Sequence, residues 1–224
     1  MQKIAIITAG GSGARMGSPI PKQFLLLNEK PLLWYTIRAF LEAYHDISIL
    51  LVLPKDYLSA GQELVNEMGI AHQTTLVVGG STRFHSVQNG VQLIKNNAVV
   101  FVHDGVRCLI TPHLIIRCFE QTIEKGSAIP AVTCTDSVRV INNQSHSAIN
   151  RDQVKIIQTP QTFLSSILIP AFNQPYQSDF TDEATVVEAS GESVHLIDGE
   201  YSNIKITRPA DLLVANAILA ERIK

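Results

Sequence analysis

The stretch Lys3–Lys22, KIAIITAGGSGARMGSPIPK, decides how the rest of the chain is read. The apolar run Ile4–Ile7 ends in a loop with Gly10, Gly11 and Gly13, Arg15 follows at once, and Lys22 follows Pro19 and Pro21. Glycine has no Cβ, so backbone N–H groups there can close on an anion. Arg15 and Lys22 then add positive charge that the backbone lacks, and the prolines stiffen the segment that presents Lys22. The glycines alone divide evenly between a tight strand-to-helix turn and a phosphate cradle. The two cations, which have no structural task evident from spacing, tip the reading toward an anion. The loop fits neither common nucleotide fingerprint. A G-x-G-x-x-G frame from Gly11 ends on Met16, no acidic residue closes the next strand-like run at ribose spacing, and no Lys-Ser/Thr pair completes a P-loop.

Outward from this loop, short β-rich runs alternate with amphipathic segments of helix length. The runs are Ile4–Thr8, Ile47–Leu53, Thr74–Val78, Ala98–Val102 and Ser127–Val132. Between them Trp34, Ile37, Leu41 and Tyr44 recur at helical spacing, as do Phe84, Val87, Val91 and Ile94, and then Leu114, Cys118 and Ile123. The alternation predicts βαβ units in an α/β fold, a mostly parallel sheet with helices on both faces. Ligands in such sheets sit beyond the carboxyl ends of the strands. The glycine loop, Gly79-Gly80 and His103-Asp104 all follow strand ends, so they should converge on one crevice. The rhythm breaks between Thr133 and Ile157, where two polar extended runs flank Asn142-Asn143-Gln144. Such a hairpin buries little of itself and is expected to project. Thr181-Asp182-Glu183 reads as a helix start, Ser193–Ile197 and Asn203–Ile206 as strands, and Pro209–Ile223 as a closing helix.

The 224 residues are 46% hydrophobic, enough for one α/β domain with a substantial core, and no second-domain linker is visible. A net charge of -2 supplies no global basic field for nucleic acid. Three cysteines, Cys108, Cys118 and Cys134, lack zinc-ligand spacing and point to a reduced compartment. The first apolar run is too short for a secretory signal, and no stretch approaches the roughly 20 apolar residues of a membrane span. A soluble cytoplasmic protein, with no membrane and no nucleic-acid partner, is the expectation.

Gly79-Gly80-Ser81-Thr82-Arg83 precedes a helix carrying Ser86, and taken alone it is an ordinary βα turn with a helix cap. Asp104 is evenly balanced between holding a metal or sugar hydroxyl and serving as an N-cap or a loop ion pair with Arg107. His103 reads as a structural hydrogen-bonding residue and Cys108 as an apolar filler. Arg151 would ordinarily be a solvated cation near the end of the hairpin. Lys205 alternates with Ile204 and Ile206, so it faces away from the core and becomes functional only if that face lines the crevice.

Together the segments AGGSGARMG, PIPKQF, VVGGSTRFHSV, HDGVR, DSVR, NR, QTPQTF, TDEA and NIKITRPADL resemble the 2-C-methyl-D-erythritol 4-phosphate cytidylyltransferase family over nearly the whole chain. The resemblance implies a Rossmann-like three-layer nucleotidyltransferase fold in one domain, residues 1–224, with a projecting β-arm at about 133–157 for dimerisation. It implies that the phosphate of methylerythritol 4-phosphate attacks the α-phosphorus of CTP with Mg2+ on the triphosphate, releasing pyrophosphate. By the family pattern Arg15 and Lys22 stabilise the transition state, and Arg151 and Lys205 position the attacking phosphate. Ala9, Gly10, Gly11, Gly13, Gly79, Gly80, Ser81 and Ser86 would hold CTP. Asp104, Arg107, Ser137 and Thr181 would surround the sugar phosphate, with Ser137 and Arg151 reaching a partner's site in an arm-exchanged homodimer. The metal ligands are left open. The sequence departs from the family's habit at Gly105-Val106-Arg107-Cys108, Ser81, Ser137 and Arg139. Ribitol-5-phosphate cytidylyltransferase, with similar fold and chemistry, is the nearest rival. Thr181-Asp182-Glu183-Ala184 and the DSVR arm favour the methylerythritol enzyme. A nicotinamide-dependent reductase is disfavoured by the failed dinucleotide frame, and a non-catalytic sugar-nucleotide module would not need Lys22 and Arg151 together.

Overall fold

A computed structural model describes residues 1–11, 20–143 and 145–222. In chain order the elements are β1 (Gln2–Thr8), β2 (Leu26–Leu27), β3 (Lys30–Pro31), α1 (Leu32–Ala43), β4 (Ser48–Leu53), α2 (Leu58–Glu67), β5 (Thr74–Val78), α3 (Arg83–Val91), β6 (Ala98–Asp104), α4 (Pro112–Lys125) and β7 (Ser127–Thr133). They continue with β8 (Val138–Asn142), β9 (Ser145–Ile149), β10 (Lys155–Ile157), β11 (Gln161–Leu164), α5 (Ser165–Ala171), α6 (Glu183–Ala189), β12 (Leu196–Asp198) and α7 (Pro209–Arg222).

The main sheet runs β5-β4-β1-β6-β11-β7, and β10 and β12 both pair with β7. The pairs β1–β4, β1–β6, β4–β5 and β7–β12 are parallel. β11 lies antiparallel between β6 and β7, so the sheet is mixed rather than uniformly parallel. β1 alternates between two cores, and both of its faces are covered, as continuous apolar strands require. Ala5 and Ile7 face Leu33, Ile37 and Phe40 of α1 and Leu114 of α4. Ile4 and Ile6 face Phe84, Val87 and Val91 of α3 and Leu168 of α5. A third cluster packs Ala215 and Leu219 of α7 on Leu32, Val106, Cys108 and Ile206.

Local chemistry sets the helix ends. Thr82 and Thr111 cap α3 and α4 by accepting from the His85 and Leu114 N–H groups. Asp182 and Thr185 form a reciprocal capping box that starts α6. Gly126 stops α4 in the left-handed conformation, at φ 84°.

The hairpin β8–β9 is a separate two-stranded sheet with Ile141 and Val140 exposed. Two expectations are corrected. Asn203–Ile206 is not a strand: it makes isolated bonds, Asn203 N–H to Glu200 O and Ile206 N–H to Val106 O, not a ladder. The second is the reading of Ser193–Ile197, where the strand is only Leu196–Asp198, paired with β7.

Candidate active site

Strand order reverses beside β1: β4 and β5 lie on one side, β6 on the other. At that switch point Thr8 and Asp104 are register partners, and Gly105 N–H donates to Thr8 O at 2.8 Å. A crevice of roughly 270 Å³ opens there. Its lining includes the sequence candidates Ala9, Gly10, Gly11, Lys22, Gly80, Ser81, Ser86, Asp104 and Lys205, together with Gln23, Thr82 and Arg83. Gly13 and Arg15 lie outside the described residues.

The first loop leaves β1 at Ala9, whose carbonyl accepts from Gln23 Nε2 at 2.6 Å. That bond fixes the short 3-10 turn Lys22–Phe24 against the loop. Lys22 Nζ donates to Ile206 O at 3.4 Å, which joins the opening loop to the segment carrying Lys205. The second loop leaves β5 at Gly79, whose N–H donates to Leu53 O. Ser86 Oγ accepts from the Gly80 N–H at 3.1 Å, folding the turn onto the start of α3. A Cβ on Gly80 would stand 2.4 Å from His85 Cβ and 2.9 Å from its carbonyl carbon. Gly80→Ala is therefore expected to cost about 1–3 kcal/mol of overpacking. The cost should be seen as a lower Tm. An unchanged Tm would refute the tight turn.

Asp104 is the electrostatic centre. Lys205 Nζ lies 2.9 Å and Arg107 Nε 3.5 Å from its Oδ2, and Arg83 Nη2 lies 3.4 Å from Oδ1. Burial alone would raise the Asp104 carboxyl, but Arg83, Lys205 and Arg107 hold it well below the usual carboxylate range. Arg107 points away from the crevice lining: its Nη1 donates to Asn203 O at 2.9 Å and Nη2 to Ile157 O at 3.4 Å. The ion pair with Arg107 foreseen from sequence is present, and the same carboxylate lines the crevice.

His103 is fully buried, and burial drives its imidazole down to about 3. Its Nε2 faces Arg107 O, so that nitrogen carries the proton, and Nδ1 accepts from the Thr159 hydroxyl. The same hydroxyl accepts from the Asp104 N–H at 3.1 Å. His103 thus pins the backbone on both sides of Asp104 and is no general base. Burial pushes the Cys108 thiol up to about 12, as suits an apolar filler.

Three sequence candidates lie elsewhere in this subunit. Thr181 is exposed beside Arg83 and Glu183 in a small neighbouring cavity. Ser137 and Arg151 are exposed near the base of the arm, with Arg151 Nη1 bonded to Thr135 O at 3.0 Å. The sequence reading missed Gln23, Thr159, Asn203, Arg83 and Glu183. Arg83 carried a usable signal: it follows a glycine turn as Arg15 does. Glu183 was read only as a helix-starting acid, yet it is buried and ion-paired with Arg83.

No cluster of three His, Cys, Asp or Glu suited to a metal occurs among the described residues. Asp104 is the one carboxylate in the described crevice lining. Lys205, Arg107 and Arg83 already sit on its oxygens, so a magnesium ion here would be carried mainly by substrate phosphates, in keeping with an ion that retains several waters and needs only one or two carboxylates. No helix among the described residues is long and apolar enough to cross a membrane.

The family model for 2-C-methyl-D-erythritol 4-phosphate cytidylyltransferase matches residues 3–221. The chain is 42% identical over 219 residues to the enzyme of that name from Bacteroides fragilis, covering 98% of this chain and 100% of the relative. It is 44% identical over 220 residues to that from Azobacteroides pseudotrichonymphae, covering 97% and 99%. Among solved structures, 4-diphosphocytidyl-2C-methyl-D-erythritol synthase from Anaerococcus prevotii matches with a TM-score of 0.84 at 29% identity, over 98% of this chain and 96% of that one. The chain belongs to the 2-C-methyl-D-erythritol 4-phosphate cytidylyltransferase family, enzymes that join CTP and methylerythritol phosphate in isoprenoid synthesis.

Proposed function

We propose that CTP and methylerythritol 4-phosphate meet in the crevice at the ends of β1 and β6, with the nucleotide toward α3 and the sugar phosphate toward Asp104 and Lys205. The observation that carries this reading is the bond from Lys22 Nζ to Ile206 O, which sets the opening loop beside the segment of Lys205. Ala9, Gly10, Gly11, Gly13, Gly79, Gly80, Ser81 and Ser86 hold CTP through backbone N–H and hydroxyl groups. Lys205 is half exposed on Asp104 and can pass from that carboxylate to an incoming phosphate. Arg83 and Arg107 keep Asp104 charged meanwhile.

Two anions must approach for the reaction to occur, so cations are needed on both. Lys205 and Arg151 neutralise the attacking phosphate while Asp104, Ser137 and Thr181 orient the polyol and Arg107, behind the crevice wall, holds Asp104. A phosphate oxygen then forms a bond to the α-phosphorus as the bond from that phosphorus to the bridging oxygen breaks, and pyrophosphate departs. Arg15 and Lys22 stabilise the charge that spreads over the α-phosphoryl oxygens. A bound magnesium ion would neutralise the triphosphate, and Asp104 would help to hold it once Lys205 has left Oδ2.

Ser137 and Arg151 lie on an exposed arm, outside the crevice lining of their own subunit. They act in a partner's crevice, which makes the working unit an arm-exchanged homodimer. Residues 1–224 serve as one cytidylyltransferase domain in the cytoplasm. Pyrophosphate release from CTP, measured with methylerythritol 4-phosphate and with ribitol 5-phosphate, tests the substrate assignment. The first acceptor should be strongly preferred, and preference for the second would overturn it.

A further inference from the structure

We propose that Arg83 is a positioning residue that couples nucleotide binding to sugar-phosphate binding. The inference rests on the division of the crevice given above.

Arg83 is the first residue of α3, directly after the cap Thr82 and the turn Gly79–Ser81. Its Nη1 is ion-paired with Glu183, the first residue of α6 and two positions beyond Thr181. Its Nε and Nη2 both lie 3.4 Å from Asp104 Oδ1, while Lys205 occupies Oδ2. One side chain, rooted directly after the nucleotide loop, thus ties the end of β6 to the start of α6. A planar fork reaches the two carboxylates with separate nitrogens, which the single nitrogen of a lysine cannot do. Glu183 depends on the contact: it is buried, its Oε2 has no hydrogen-bond partner, and Arg83 is its one ion-pair partner among the described residues.

A nucleotide settling on Gly79–Thr82 fixes the first turn of α3 and therefore Arg83. Arg83 in turn fixes Asp104, from which Lys205 departs, and the α6 end that presents Thr181. Coupling of this kind is reciprocal, so the sugar phosphate also tightens the nucleotide by the same factor. Gln161 holds α6 independently, donating to Asp182 Oδ2 and accepting from the Ala184 N–H, each at 2.8 Å. Loss of Arg83 should therefore leave α6 in place but without its tie to α3.

The test uses an unreactive CTP analogue with a methylene group in place of the α–β bridging oxygen. Binding of methylerythritol 4-phosphate is measured by calorimetry with and without the analogue. In the unaltered protein the analogue should tighten the sugar phosphate about 10-fold. In Arg83→Gln that ratio should fall to about one, with analogue binding alone changed less than about threefold. Arg83→Lys should recover Tm but not the ratio, which a merely structural role would restore together. An unchanged ratio in Arg83→Gln overturns the proposal, as does loss of analogue binding itself, which would make Arg83 a nucleotide ligand. Should Arg83→Gln fail to fold, Glu183→Gln carries the same test, and an unchanged ratio there overturns it equally. A protein that releases no pyrophosphate from CTP and methylerythritol 4-phosphate would instead refute the underlying site, a failure visible separately.

Discussion

Lys22→Ala is expected to lower kcat by about 10²–10³-fold, a loss of roughly 3–4 kcal/mol of transition-state stabilisation, with KM for CTP changed only a few-fold. The argument is positional. Pro21 enters the 3-10 turn at φ -56° and ψ 138°, and Gln23 clamps the turn to Ala9 O. Gly11 lies beside the Lys22 stem, where an added Cβ would stand 3.4 Å from Lys22 Cε, at ordinary contact. The ammonium is thereby held at the crevice before substrate arrives, so little reorganisation is needed as charge develops on the α-phosphoryl oxygens. On the proposed site ground-state CTP would be gripped by many backbone groups, and one cation among them would add little to its affinity. In the transition state the same cation meets charge that the backbone alone does not offset. Steady-state kinetics with both substrates varied would check this. Turnover near that of the unaltered enzyme would remove Lys22 from the chemistry.

The legibility of this chain follows from the range of each interaction. β1, β4, β6 and β7 were readable because strands buried on both faces are continuous apolar runs, and β5, an edge strand, through its β-branched run TTLVV. β11 was not. It spans only Gln161–Leu164, and two of its four residues are polar groups buried through hydrogen bonds rather than side-chain apolarity. α2 was also missed, because its buried stripe is thin: Gly61 sits against Leu53, leaving Leu64 and Val65 to carry the signal. The Asn203–Ile206 segment deceived through its alternation. Ile206 is buried and Lys205 turns outward, as a strand would place them, yet no ladder forms. In the site, loops that follow strand ends could be foreseen from topology. The Arg83–Glu183 pair could not, since its partners lie 100 residues apart and each has an ordinary local role at a helix start.

Mixing two inactive variants, Lys22→Ala and Arg151→Ala, is expected to restore about a quarter of the unaltered activity once subunits have exchanged. Each site would draw Lys22 from its own chain and Arg151 from the partner's arm. Random exchange makes half of the dimers hybrids. In a hybrid, the chain with intact Lys22 receives the arm with intact Arg151, giving one complete site, while the other site carries both losses. The arm's form supports this arrangement. Among the described residues β8 and β9 pair only with each other, Ile141 is 77% exposed, and Val140 and Ile149 are exposed as well. A two-stranded hairpin is marginal alone, so these apolar side chains need a surface outside their own subunit's core. Arg151 alone, expected to raise KM for the sugar phosphate more than it lowers kcat, fits either a crossing arm or one folded back on its own crevice. The hybrid separates the two, because without crossing every site keeps one lesion. Absence of recovery after exchange has been verified by tagged subunits would exclude the crossing arm and require Arg151 to act within its own chain.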